Sequence, residues 1–199
     1  MVVCHIRKII FIHIPKTAGS SIEHLLRDEG KYELDFIGVR NGRSTHHYMG
    51  IELKMILKEL YPTYYKFSFV RNPYDRLISE YFWCRISNVG HKFNKTFDEF
   101  LDYVEDVIKN KKFFKPIEND HFIPQYSFLF CNKKLIVNNI FKYEDIETVV
   151  PLIKKRLKIK TSLQHLNKSV KNEITLTQEQ KDRIYNLYQI DFQTFNYEK

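Results

Sequence analysis

The stretch Lys8-Ile9-Ile10-Phe11-Ile12-His13-Ile14-Pro15-Lys16-Thr17-Ala18-Gly19-Ser20-Ser21-Ile22 decides the fold. Its first half is a β-branched run ended by Pro15, and beyond Gly19 the apolar residues Ile22, Leu25 and Leu26 fall at helical spacing. The order is strand, turn, helix. The same order returns where Tyr65 to Val70 runs into Arg71-Asn72-Pro73, with Asn72 able to cap and Pro73 suited to a first helical turn. Between these units, Leu53, Ile56, Leu57 and Leu60 predict an apolar helical stripe behind a loop at Arg40 to Thr45. Thr96 with Glu99 and Thr177 with Gln180 read as capping boxes, one opening a helix through Phe97, Phe100, Leu101 and Val104, the other a C-terminal helix through Ile184 and Leu187. Leu135 to Phe141 is a third strand candidate, followed by a helix over Ile146 to Leu157. Strands alternating with helices imply a central, mostly parallel sheet flanked by helices, a three-layer α/β sandwich with P-loop-like strand–turn–helix units.

The chain has 199 residues, of which 43% are hydrophobic and 15% aromatic, which excludes disorder. Six glycines and six prolines leave no linker, so the expectation is one domain over residues 1–199. Cys4, Cys84 and Cys131 are too few and too scattered for a disulfide framework or a zinc knuckle, which favours a reducing compartment. The apolar run Ile9 to Ile12 is far short of the roughly 18 residues of a membrane span, and no leader pattern surrounds it, so a cytoplasmic protein is expected. The net charge of +8 fits nucleic acid, an acidic membrane surface or a small polyanion. The lysines of 109–115 and 154–160 read as solvated helix faces, and no basic stripe is interleaved with stacking aromatics, which argues against nucleic acid.

The segment Pro15 to Ser21 carries the chemistry. Small residues with one lysine directly before a helix N-terminus make an anion site, because the first backbone N–H groups and the helix dipole both favour phosphate. Gly19 allows close backbone approach, Thr17, Ser20 and Ser21 add hydroxyls, and Lys16 adds a point charge. The nucleotide-hydrolysing P-loop pattern G-x-x-x-x-G-K-[ST] does not fit, since Lys16 comes three residues before Gly19 and no leading glycine is present. The second strand ends on Arg71-Asn72 where a magnesium-ordering aspartate would stand, so no metal is expected. If the two strands are neighbours, Arg71 emerges beside the loop, and Ser79 follows about two turns into the next helix. The competing role for Arg71 is a structural bridge to Asp75 or Glu80.

Together these segments resemble the sulfotransferases that use 3′-phosphoadenosine-5′-phosphosulfate (PAPS), in particular the carbohydrate sulfotransferase branch. In that family a P-K-T-x-[ST]-[ST]-type loop binds the 5′-phosphosulfate, which falls here on Lys16, Thr17, Ala18, Gly19, Ser20 and Ser21. An arginine at a strand end and a serine eight residues later hold the 3′-phosphate, which falls on Arg71 and Ser79. The likeness extends through His121 to Gln125, Phe141 to Glu144, His165 to Ser169 and Tyr188 to Tyr197. No membrane anchor of the Golgi relatives is visible and the chain is near the minimal core, which fits a compact bacterial-type enzyme.

The resemblance implies transfer of a sulfuryl group to a hydroxyl, on a carbohydrate by family, with a histidine as base. It points to His47, with His46 one residue away as the alternative. Lys16 is the implied catalytic cation on the leaving-group side. His121 and Gln125 are expected as weaker substrate contacts, and Lys168 and Ser169, after Asn167, as a late loop over the nucleotide. His13 reads as a structural neighbour of the loop. The rival readings are a P-loop kinase and a non-enzymatic polyanion-binding module; the sequence is silent on oligomeric state.

Overall fold

The computed structural model describes residues 2–27, 39–40, 43–86, 95–114, 117–163 and 174–199. In chain order, β1 (Val2–Cys4) and β2 (Ile9–Ile12) lead into α1 (Gly19–Arg27). The short strands β3 (Val39–Arg40) and β4 (Arg43–Ser44), a 3-10 turn at Thr45–His47, α2 (Gly50–Leu57) and a 3-10 segment at Lys58–Thr63 then precede β5 (Tyr65–Val70). α3 (Pro73–Ile86) and α4 (Phe97–Lys109) are followed by a 3-10 segment at Ile117–Phe122 and by α5 (Gln125–Leu129). The chain closes with β6 (Phe130–Cys131), β7 (Lys134–Leu135), β8 (Asn139–Lys142), a 3-10 turn at Tyr143–Asp145, α6 (Ile146–Leu157) and α7 (Gln178–Phe195). These elements form two compact units, one from Met1–Arg71 with Ser127–Leu166, the other from Asn72–Tyr126 with Asn167–Lys199. Each unit is discontinuous in sequence, which is why no linker composition marks a boundary.

The first unit is built on a sheet of order β1-β2-β5-β8, with β2, β5 and β8 parallel and β1 antiparallel at the edge. Ile9 to Ile12 are buried on both sides of the strand, as expected of a parallel strand covered on both faces. Ile9 and Phe11, with Phe67 and Phe69, pack against Ile22, Leu25 and Leu26 of α1 and Val149, Val150 and Ile153 of α6. On the opposite face Gly50, at the start of α2, sits so close to Ile12 that a Cβ there would fall 2.9 Å from its Cδ1. The mixed α/β architecture with a central, mostly parallel sheet is therefore present as expected.

Two expectations need correction. The third strand is not continuous from Leu135 to Phe141. Lys134–Leu135 pairs antiparallel with Phe130–Cys131, and only Asn139–Lys142 joins the main sheet. The cause is the hairpin at Asn132 and Lys133, both with positive φ (48° and 62°), as a mirror-image two-residue turn requires. The apolar stripe after the histidines also breaks. Leu53 and Leu57 are buried, but Ile56, about 100° round α2 from Leu57, is exposed, and so is Leu60, which lies past the end of α2 where the chain tightens into the 3-10 segment and its faces change phase.

The second unit is helical. Leu77 and Tyr81 of α3, Phe100 and Val104 of α4, and Ile184, Tyr188 and Phe192 of α7 share one core. Both capping boxes form: Thr96 Oγ1 accepts from Glu99 N at 3.3 Å, and Thr177 Oγ1 from Gln180 N at 3.2 Å. No helix among the described residues is long and apolar enough to cross a membrane. Within this unit Asp191 is fully buried and accepts the backbone N–H groups of Gln125 and Tyr126, each at 2.8 Å, so it caps the start of α5.

Burial pushes the Asp191 carboxyl up to about 6, although Arg76 and the two N–H donors favour its charged form. The native state thus holds this proton over a pH range where the unfolded chain, near 3.8, has released it. Stability from this group is full below about pH 4 and falls as pH rises through about 6. Urea denaturation of the wild type and Asp191→Asn should show a stability difference that changes by roughly 2 kcal/mol between pH 4 and 7, most of the shift at 1.36 kcal/mol per pKa unit. A constant difference would mean that Asp191 does not titrate in this window.

Candidate active site

The loop between β2 and α1 is shaped by two left-handed residues, neither of them glycine: Lys16 at φ 67° and Ala18 at φ 62°. Such positions cost on the order of 1 kcal/mol each and persist where the surroundings over-determine them. Here Ala18 O accepts the N–H groups of Ser21 and Ile22, and the fully buried Thr17 donates Oγ1–H to Ile14 O at 2.9 Å. Left-handed residues interleaved in this way are the backbone pattern from which anion-binding loops are commonly built. Thr17 spends its hydroxyl proton inside the loop, so it offers a ligand its backbone rather than its side-chain donor. Ser20 is exposed and Ser21 buried in the first turn of α1, and Lys16 is half-buried at the loop's crest.

Gly19 has a different reason from the one its position suggested. A Cβ built on it would lie 1.9 Å from Cδ2 and 2.0 Å from Nε2 of His13. The close approach that requires glycine is therefore to an imidazole beneath the loop.

β2 and β5 are parallel neighbours, so Arg71, just beyond β5, reaches the loop: its Nη1 donates to Lys16 O at 3.2 Å. The guanidinium carbon also lies 4.4 Å from the centre of the Tyr143 ring, a stacking arrangement that fixes the plane of the fork. The expected juxtaposition of Arg71 with the Lys16 loop is thus realised.

Two histidines meet one carboxylate on the loop's inner side, and a third packs against one of them. His13 Nδ1 lies 2.8 Å from Glu23 Oε1, and His46 Nδ1 lies 3.6 Å from Glu23 Oε2. Glu23 and His13 are buried, whereas the His46 side chain is 34% exposed. His47 meets His13 edge to face, ring centres 5.0 Å apart at 88°. Glu23 escaped the sequence reading. It lies three residues before Leu26, on the inward face of α1, and an acid at such a position is the signal that would have found it.

In the helical unit, Ser79 is half-buried on α3, seven residues into the helix that follows Arg71-Asn72. His121 ends a 3-10 segment, its Nδ1 2.8 Å from Glu80 Oε2 and its carbonyl accepting from Arg76 Nη2 at 2.6 Å. Gln125 is fully buried, with its backbone N–H on Asp191. Lys168 and Ser169 lie outside the described residues.

The Gly19 contact is testable. Gly19→Ala forces the His13 ring off Glu23 or moves the loop, and such overpacking costs about 1–3 kcal/mol. Helix propensity alone predicts the opposite sign, a gain of about 1 kcal/mol. Chemical denaturation of the two proteins separates these outcomes.

No curated protein and no solved structure gives a significant match to this chain. The family model described as "Sulfotransferase family" matches residues 1–198, essentially the whole sequence. A strand–loop–helix unit carrying Lys16, with the strand-end Arg71 beside it, is consistent with that match, and the chain belongs to the sulfotransferase family and is a sulfotransferase enzyme.

Proposed function

We propose that the protein transfers a sulfuryl group from PAPS to a hydroxyl of a carbohydrate, without a divalent metal, in one catalytic domain spanning residues 1–199. The observation that carries this reading is the contact of Arg71 with the Lys16 loop, because it sets a bidentate guanidinium beside an anion cradle on one sheet edge. The loop, a P-loop-like turn without the hydrolase pattern, receives the 5′-phosphosulfate on the backbone N–H groups of residues 17–20. Arg71 holds the 3′-phosphate, with Ser79 added by the family resemblance; Lys168 and Ser169 close over the nucleotide on the same ground. Positive charge from Lys16, Arg71 and the start of α1 supplies the field that a metal provides elsewhere. The three cysteines are all free, which suits a reducing, cytoplasmic setting.

PAPS, when bound, supplies the sulfuryl group and a phosphate leaving group. Lys16 and the loop amides stabilise negative charge where it grows as that group departs, in the manner of other preorganised anion holes. One imidazole of the His46–His47 pair accepts the acceptor's hydroxyl proton; the resemblance favours His47, and His46 lies beside it. His121, held by Glu80, remains a weaker candidate for acceptor contact.

Adenosine 3′,5′-bisphosphate at 100 times its dissociation constant should add ~2.7 kcal/mol and raise the thermal midpoint by several degrees, with or without EDTA. ATP with Mg²⁺ should not match it. Loss of the effect in EDTA, with ATP binding as tightly, would replace this reading with a kinase. Arg71→Ala should erase the preference for a 3′-phosphate and cost roughly 2–4 kcal/mol of binding. Lys16→Ala should bind the bisphosphate nearly normally yet turn over ~10²–10³ times more slowly.

A further inference from the structure

We propose that Glu23 is the positioning residue of the acceptor-activating histidines and that, through it, His46 carries the base. This rests on the sulfotransfer reading above. The argument starts from the two oxygens of one buried carboxylate. Oε1 takes the Nδ1 side of His13 at 2.8 Å, and Oε2 faces the Nδ1 side of His46 at 3.6 Å. An ionised carboxylate only accepts, so His13, at hydrogen-bond distance, meets it with Nδ1–H, and of the two His46 nitrogens Nδ1 is the one whose proton the carboxylate favours.

Neutral imidazole has one proton to place. With Nδ1–H turned to Glu23, the lone pair of His46 is on Nε2, and the 34% exposed side chain leaves the ring open to a substrate. His13 is buried against Gly19, so its own ring is closed to any acceptor; its task is to hold Glu23 in place and to support His47 edge-on. The 3.6 Å separation is an ion-pair distance longer than a hydrogen bond, so it is the field of the nearby carboxylate that favours the proton on the nearer nitrogen, Nδ1. The same carboxylate also stabilises the imidazolium that forms once the proton has moved. In that step the bond from acceptor oxygen to sulfur forms as the bond from sulfur to the bridging oxygen breaks. The electron pair leaves with the nucleotide phosphate, and the hydroxyl proton goes to Nε2 of His46.

Glu23 lies on α1, whose first turn closes the anion loop, so one short helix sets both the donor cradle and the base. That coupling distinguishes this arrangement from a surface histidine that meets a carboxylate by chance.

Glu23→Gln tests the idea with little change of shape. Glutamine offers one acceptor oxygen where glutamate offers two, so only one of the two imidazoles keeps its Nδ1–H partner, and the shorter His13 contact is the one retained. ¹⁵N-edited NMR of the histidine rings should find His46 as the Nδ1–H tautomer in the wild type and as Nε2–H in Glu23→Gln. In assays, Glu23→Gln should lower kcat roughly 10- to 100-fold, a fraction of the 10²–10⁴ that a general base supplies, with KM and bisphosphate affinity unchanged. Glu23→Gln should add little to the loss already present in His46→Ala. An Nε2–H tautomer of His46 in the wild type, full turnover in Glu23→Gln, or additive losses in the double variant would each overturn the proposal. Should Glu23→Gln fail to fold, the wild-type spectrum alone decides. A wild type that neither binds the bisphosphate nor transfers sulfate would instead overturn the sulfotransfer reading, since the tautomer is read without turnover.

Discussion

The parallel pairing of β2 with β5 is the constraint on which the rest of the first unit depends. In register, Ile12 lies opposite Ser68, and the Ser68 hydroxyl donates to Ile12 O at 2.7 Å, so the two strands are tied near their carboxyl ends. Parallel strands leave the sheet at the same edge. The loop after β2 and Arg71 after β5 are consequently brought together although 55 positions separate Arg71 from Lys16. An antiparallel pairing of the same strands would send Arg71 to the opposite edge and leave the loop with Lys16 alone.

That edge is costly to build, and its cost is met by buried polar groups. Two non-glycine residues of the loop sit at positive φ, held by the Thr17 hydroxyl and the Ala18 carbonyl. Beneath them Glu23 and His13 occupy space that an apolar core would fill more cheaply. A buried carboxylate on an imidazole orients both groups, so the same contact that supports the loop also limits what the neighbouring histidines can do. Stability and function are linked through Glu23 rather than traded between separate parts.

The helical unit uses the same device for structure. Arg76, 4% exposed, donates to the carbonyls of His121 and Ile123, and Asp191 takes the next backbone donors at Gln125 and Tyr126. The irregular segment from His121 to Tyr126 thus has its polar backbone satisfied by side chains from α3 and α7. Pro124 forbids a regular helix there, and the buried Arg76 and Asp191 provide what helical hydrogen bonds do not.

Local patterns were legible from the residues alone. Ile9 to Ile12 as a buried strand, Tyr65 to Val70 as its partner, Pro73 opening α3, and the two capping boxes each follow from side-chain types within a few positions. So did the strand–turn–helix around Lys16, because small residues and a lysine before a helix need no distant partner to define it. Leu60 was misplaced because α2 ends at Leu57, a backbone event with no strong local sign, and Ile56 because the buried face of α2 is the narrow one of Gly50, Leu53 and Leu57. The break at Asn132-Lys133 similarly hides in residues that accept positive φ without demanding it. What only the tertiary structure decided is which side chains share one point. Glu23, His13 and His46 come from a helix, a strand end and a distant turn, and no periodicity relates them. Gly19 shows the same reason in miniature: its neighbour at risk is an imidazole six residues back that the turn folds beneath it, a contact set by three-dimensional closure of the chain.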